Sequence, residues 1–324
     1  MDSVAAKIGL NGRILFMKML LKQMKWKIFL LALALSSLPA TLVSAQQIRA
    51  VASWPALADI TRQIGRELVN VESLATGVED AHGVPMKPSF VPRMNRADVL
   101  ILIGLDDEHS WIPALLEVAG NPKILPGQAG YIDCSVGIPV LDAPARLDRA
   151  EGDLHPKGNP HYLSDPVRTK TCARNIAAGL TRSFPQHQVT FEKNLNAYIA
   201  ELDKWIGHWE KMAEPLRGIK FVEYHQEWVY LADRFGMKRI GSVETKPGVE
   251  PTPNHIVNLV EKIKQEKPQL LIYGAQNPRV PKQLANETGI KVLRLYSGGG
   301  NQPETDSYIK WVDYTLRTLV QAVS

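Results

Sequence analysis

Along this chain, apolar and polar positions follow two rhythms, one with the period of strands and one with the period of helices. Short, nearly continuous apolar runs at "IRAVAS" (48–53), "NVESLA" (70–75) and "DVLILIG" (98–104) predict strands. "PALADITRQIG" (55–65) has helical spacing, and "PSFVPRMNRA" (88–97) predicts a short helix. The second half repeats the rhythm. "IKFVEY" (219–224), "KRIGSV", "QLLIYG" and "IKVLRL" read as strands, separated by helix-like "QEWVYLADRFG", "PNHIVNLVEKIKQ" and "VPKQLANETG". A last helix is expected from about Asp306. Two such runs predict an α/β protein of two lobes with largely parallel sheets.

A different pattern separates the runs. From His187 to Glu214 there is no Pro, and the sole Gly is Gly207. Leu195, Tyr198, Ile199, Leu202, Trp205, Ile206, Trp209 and Met212 recur every three or four positions, one face of a continuous helix. At 1.5 Å per residue such a helix runs roughly 40 Å, and Pro185 and Pro215 bound it. Its tryptophans read as packing residues. The expected organisation is a first lobe over 46–185, a linking helix over 186–215 and a second lobe over 216–324.

The first 45 residues fit neither rhythm. Lys25 and Lys27, an apolar run from Ile28 to Leu35, Pro39 and the small residues Val43-Ser44-Ala45 have the order of a cleavable export signal. The apolar run is too short for a bilayer span of about 20 residues. Met24 is a plausible natural start, cleavage is expected between Ala45 and Gln46, and the mature protein is expected in the periplasm as a soluble monomer. No Cys follows the cleavage point to carry a lipid. This segment also explains the charge. The 324-residue chain is formally +5, and the whole excess lies in residues 1–45, whose six basic residues face one acid, Asp2. A neutral remainder has no electrostatic footprint for nucleic acid.

The two cysteines, Cys134 and Cys172, lack CxxC spacing; in an exported chain they could form one disulfide or stay as separate buried thiols. The histidines carry more. Open α/β sheets bind ligands at the carboxyl ends of their strands, and three of the eight histidines fall there. His82 lies in the loop after strand 70–75, His225 directly after strand 219–224, and His161 in "GDLHPKGNPHYLSDP", just before the helix start Asp165-Pro166. Three imidazoles make a recognisable zinc shell. Each taken alone could equally be a hydrogen-bonded loop residue. His187, His208 and His255 fall on helices and His109 near a helix start, while His155, flanked by Pro156 and close to Gly158, is a spare whose role stays open.

"DAHGVPMKPS" followed by "RADVLILIGLDDEHSWIPALL", then "GNPHYLSDP", then "VEYHQEWVYLADRFGM" resemble, in that order around a long helix, the metal-binding receptors of bacterial ABC transporters for zinc and manganese, a group that includes surface adhesins. The resemblance covers nearly all of the mature chain. It implies metal contacts from His82, His161 and His225, a cleft between two lobes joined by a rigid helix, and a membrane permease as partner. It departs in two places. The family usually adds a carboxylate from a loop after a second-lobe strand, but "VLRLYSGGGNQ" has no acid before Glu304 and Asp306. The long His-rich loop of many zinc receptors is reduced here to His155.

Neutral imidazoles favour Zn²⁺ over Mn²⁺, which prefers oxygen-rich sites. Zinc capture for an ABC permease is therefore the expected function, not catalysis. If a fourth ligand is recruited from a mobile segment, it is expected to be an oxygen donor such as Glu304, Asp306, or a water near Tyr296. The competing readings are a manganese-binding receptor or adhesin on the same scaffold, and a three-His zinc hydrolase with Glu223 or Glu227 as general base. The hydrolase reading lacks any motif such as HExxH.

Overall fold

The structure, a computed structural model, describes residues 17–25, 47–143, 156–246, 248–300 and 302–324. The expected cleavage point and His155 lie outside the described residues. A helix occupies 17–25 (α1). Among the described residues, no helix is long and apolar enough to cross a membrane.

From Gln47 onward the chain forms one compact unit built on two four-stranded, all-parallel sheets. The first sheet contains β1 (Ile48–Ala52), β2 (Val69–Ser73), β3 (Val99–Leu102) and β4 (Tyr131–Asp133), in the order β2-β1-β3-β4. The second contains β5 (Lys220–Glu223), β6 (Lys238–Ser242), β7 (Leu270–Tyr273) and β8 (Lys291–Arg294), in the order β6-β5-β7-β8. Parallel neighbours need a crossover. In the first sheet α2 (Pro55–Gly65), α3 (Phe90–Arg96) and α4 (Ile112–Ala119) provide it; in the second, α7 (Val229–Phe235), α8 (Pro253–Glu266) and α9 (Arg279–Thr288). Helices on both faces explain why β3, "VLIL", is buried at every position. The expected two-lobe α/β class is the one observed. β4 is an addition that periodicity could not find, because three residues hold too little pattern.

Along the chain, α5 (Pro166–Ser183) and α6 (Gln188–Met212) come between the strands of the first sheet and those of the second. α6 continues for 25 residues through Gly207, and Phe191, Tyr198, Leu202, Ile206 and Trp209 form its buried stripe. The last helix, α10 (Tyr308–Val323), crosses back from the second sheet. Its Tyr308 N–H donates to Asp59 on α2 at 2.9 Å, and the Tyr308 hydroxyl lies 2.9 Å from the Leu163 carbonyl. Trp311, Leu316 and Leu319 therefore join the core that underlies the first sheet. A smaller apolar cluster, including Val222, Leu259, Leu271 and Leu284, covers the outer face of the second sheet.

Candidate metal centre

His82, His161 and His225 converge at the carboxyl ends of the two sheets. The Nε2 atom of His225 is 3.2 Å from Nε2 of His82 and 3.1 Å from Nε2 of His161. One nitrogen from each ring falls within 4.8 Å of the others. Four ligands around zinc at 2.0–2.1 Å stand roughly 3.3–3.4 Å apart, the edge of a tetrahedron of that radius. The two separations from His225 are already close to that spacing. The other described histidines do not join them: His109 bonds its own turn at Asp106, and His255 lies beside the Ser242 carbonyl.

His82 sits on a one-turn helix, Ala81–Gly83, capped by Asp80, whose carboxylate accepts the His82 N–H at 2.9 Å. The Trp111 indole donates to the Ala81 carbonyl and the Ser110 hydroxyl to that of His82, fixing the turn against the residues after β3. Nδ1 of the ring lies 3.2 Å from the Asp107 carbonyl and 3.3 Å from its carboxyl.

His161 gains its position from Asn159, which is buried. Its side-chain oxygen accepts the His161 N–H, and its amide donates at 2.7 Å to the carbonyl of Gln226, the residue after His225. Tyr230 on α7 donates to the Asn159 carbonyl at 2.6 Å, and Tyr162 donates at 2.7 Å to Ile103 at the end of β3. Asp165 then caps α5. The loop is thus tied to both sheets.

His225 is buried and lies two residues beyond the end of β5. The pairing of Glu223 with Ser242 carries Glu244 alongside it, and Nδ1–H donates to the Glu244 carboxylate at 2.9 Å. That bond fixes the tautomer that presents Nε2 to the centre. Burial alone would lower the His225 pKa; Glu244, Glu227 and Asp80 overcome it and raise it to about 9. For His82, burial and the neighbouring His225 together lower it. Packed imidazoles cannot all be cationic, and imidazole binds metal only when neutral.

Buried acids surround the rings. Burial, reinforced by Asp80, raises Asp107 to about 8, and burial with Asp107 nearby raises Glu108 to about 8. Glu108 accepts from the Ser53 hydroxyl and the Ile103 N–H. Burial raises Glu223 to about 7 against the pull of Arg239. Asp107, Glu244 and Asn159 are the contributors that sequence reasoning missed. The run "LDDEHS" after a buried strand was the signal available for Asp107; nothing local marks Asn159.

The expected oxygen donors from the C-terminal loop are not at the centre. Glu304 is exposed, and Asp306 turns outward to pair with Lys310 at 2.8 Å. They belong to the entry of α10, which the packing of Tyr308 holds against α2.

With this geometry in hand, comparison with known proteins is informative. Residues 50–322 match the family described as zinc-uptake complex component A, periplasmic (ZnuA). The chain belongs to that family. Its members are extracytoplasmic substrate-binding receptors of metal ABC transporters, not enzymes. This removes the hydrolase reading. The chain is 26% identical over 290 residues to the manganese ABC transporter substrate-binding lipoprotein PsaA of Streptococcus anginosus, covering 87% of this chain and 91% of that one. It is 26% identical over 271 residues to the iron ABC transporter substrate-binding lipoprotein MtsA of Streptococcus pyogenes serotype M1, with coverages of 82% and 84%. A crystal structure of ZnuA shares the fold, with a TM-score of 0.71 at 23% identity over 86% of this chain and all of that one. Relatives named for different metals share the scaffold, so the family by itself does not choose the cargo.

Proposed function

We propose that this ZnuA-family protein captures Zn²⁺ at His82, His161 and His225 outside the cytoplasmic membrane and delivers it to an ABC permease. The observation that carries the reading is the convergence of three imidazoles, with His225 Nε2 3.1–3.2 Å from Nε2 of both His161 and His82 and held by Glu244. Nitrogen donors favour zinc over manganese. Three loops from two sheets close on one ion, so binding also reports on the arrangement of the lobes to a permease. In this reading residues 46–185 and 216–324 form the lobes and 186–215 the strut between them. The unbroken α6 and the return of α10 to the first core favour a small closure.

The test is metal analysis of the purified mature protein, with zinc titrated into chelator-stripped material. Tight 1:1 zinc binding is the expected result; retention of manganese in preference to zinc would overturn the metal assignment. We also propose cleavage after Ala45 and a soluble product. The streptococcal relatives above are named as lipoproteins. This chain has cysteines only at 134 and 172, neither near the leader to accept a lipid. N-terminal sequencing that finds Gln46 supports the proposal, and an intact leader refutes it.

A further inference from the structure

We propose that the glycine loop 297–300 is a positioning element for the metal centre: its bare backbone lets the second lobe close on Trp54 and Gly77, and that contact sets where His82 stands relative to His225. The inference rests on the reading of the three histidines as metal ligands, and it gives a task to a loop that bears no acid.

The loop follows β8 and is anchored on its own side. The Leu295 N–H donates to the Tyr273 carbonyl at 2.8 Å, and the Trp311 indole donates to the Tyr296 carbonyl at 2.8 Å. Opposite it lie Trp54 and Pro55 at the start of α2, and Gly77 in the loop after β2. Trp54, Gly77 and Gly298 are all buried. A β-carbon on Gly77 would run into the Gly299 carbonyl. One on Gly298 would stand 2.5 Å from Cε2 and 2.7 Å from Cζ2 of the Trp54 indole, and one on Gly300 would stand 2.5 Å from Cβ of Pro55. Carbon atoms in contact sit about 3.5–4.0 Å apart, so a single methyl group at 298 requires a shift on the order of 1 Å. A buried bicyclic ring in a close-packed interior cannot fold aside as the tip of a flexible side chain would. The cheaper response is for the two lobes to part.

The contact is passed on to the imidazoles. Loop 76–82 is braced within itself: the Glu79 carboxylate accepts from the Thr76 N–H at 2.9 Å and from the Thr76 hydroxyl at 2.7 Å, and Asp80 caps the His82 turn. Gly77 and His82 therefore move together. Trp54, Ala81, His161 and Ser297 line one small void of about 10 Å³, so the contact reaches His161 and the residue before His82. His225 belongs to the second lobe, and its separation from His82 depends on how closely the lobes meet. Metal–ligand distances tolerate only about 0.2 Å, far less than the shift that a β-carbon would impose. The contribution of this loop is closeness, which glycine provides by having no side chain.

The test uses the mature chain, with Zn²⁺ competed against a chromophoric chelator and Co²⁺ read by its visible spectrum. Gly77, Gly299 and Gly300 have φ of 88°, 68° and 79°, whereas Gly298 lies outside the left-handed region, so alanine at 298 tests the space alone. Gly298→Ala is expected to weaken zinc roughly 10–100-fold, the range of residues that orient a ligand, and to change the Co²⁺ spectrum. In that background Trp54→Leu should recover part of the affinity by returning the space. With His82→Ala in place, Gly298→Ala should add little, because it acts through that ring. Unchanged zinc affinity and an unchanged Co²⁺ spectrum in Gly298→Ala, while His225→Ala loses zinc, would overturn the role of the loop and leave the receptor reading standing. So would a loss that Trp54→Leu does not relieve, or one that adds in full to the loss from His82→Ala. A wild-type protein that binds neither metal would overturn both. Should Gly298→Ala fail to fold, the double variant is compared with Trp54→Leu alone. It should bind zinc at least as tightly, since the methyl group refills space the indole left; weaker binding would overturn the proposal.

Discussion

His82 and His225 reach one point from the edges of two sheets with the same strand order, yet they are held by opposite means. On the second sheet, the imidazole stands two residues past its strand and donates to an adjacent carboxylate, and the buried Glu223 is answered by Arg239. On the first sheet, the imidazole rides on a capped turn well beyond β2. The acids beneath it, Asp107 and Glu108, have no Arg or Lys among the described residues and are pushed by burial toward the neutral form. Asp107 leaves both carboxyl oxygens without a hydrogen bond that meets full geometric criteria. One side positions its ligand with charge, the other with backbone and packing. A charged anchor is rigid and pH-sensitive; a capped turn tolerates change more readily.

The largest effect should come from removing the rings. His225→Ala and His161→Ala are each expected to weaken zinc more than about 100-fold, with His82→Ala no more severe than His225→Ala. Chelator competition on the three variants measures the ranking, and a loss confined to His82 would invert the comparison.

Outer partners come next. Glu244→Gln should cost roughly 10–100-fold in zinc affinity, because it removes the short charge-assisted bond to Nδ1. Asp107→Asn should cost less, since its 3.3 Å contact is longer and the backbone carbonyl shares Nδ1. Equal losses would mean that both ends rely on charge.

The buried acid Glu108 gives the first sheet a pH signature, to which Glu223 adds a smaller one of the same sign from the second sheet. The folded pKa of Glu108, about 8, stands above the usual 4.5. The folded state therefore holds a proton that the unfolded state releases, and stability should decline as pH rises from about 4.5 to 8. Glu108→Gln should flatten that decline in chemical denaturation of the metal-free protein. Asp98, held down to about 2 by Arg49 and Lys123, acts in the other direction, losing its contribution as pH falls from about 4 to 2.

The smallest change concerns shape. Zinc should leave the radius of gyration nearly constant in solution scattering, because α6 runs unbroken for 25 residues and α10 binds the second half of the chain to the first core. Hydrogen exchange should slow in loops 77–88 and 297–302. A large compaction would reveal a hinge.

Much of this was legible from the sequence alone. Strand and helix periodicities are local, so the two α/β runs and the continuous helix through Gly207 could be read directly. His82 and His225 could be placed in loops after strands, and His161 before a helix start, for the same reason, and their order along the chain carried the family resemblance. Only the tertiary structure decided which acid serves which ring. Glu244 meets His225 because β6 pairs with β5 in a register that puts positions 223 and 242 side by side. Asn159 links His161 to Gln226 across 67 positions of chain. Glu304 and Asp306 looked available because no sequence pattern shows that Tyr308 will dock on Asp59 and draw their segment to the entry of α10. Periodicity is written in neighbouring residues, whereas the aim of a side chain is set by sheet register and by contacts between residues far apart in the chain.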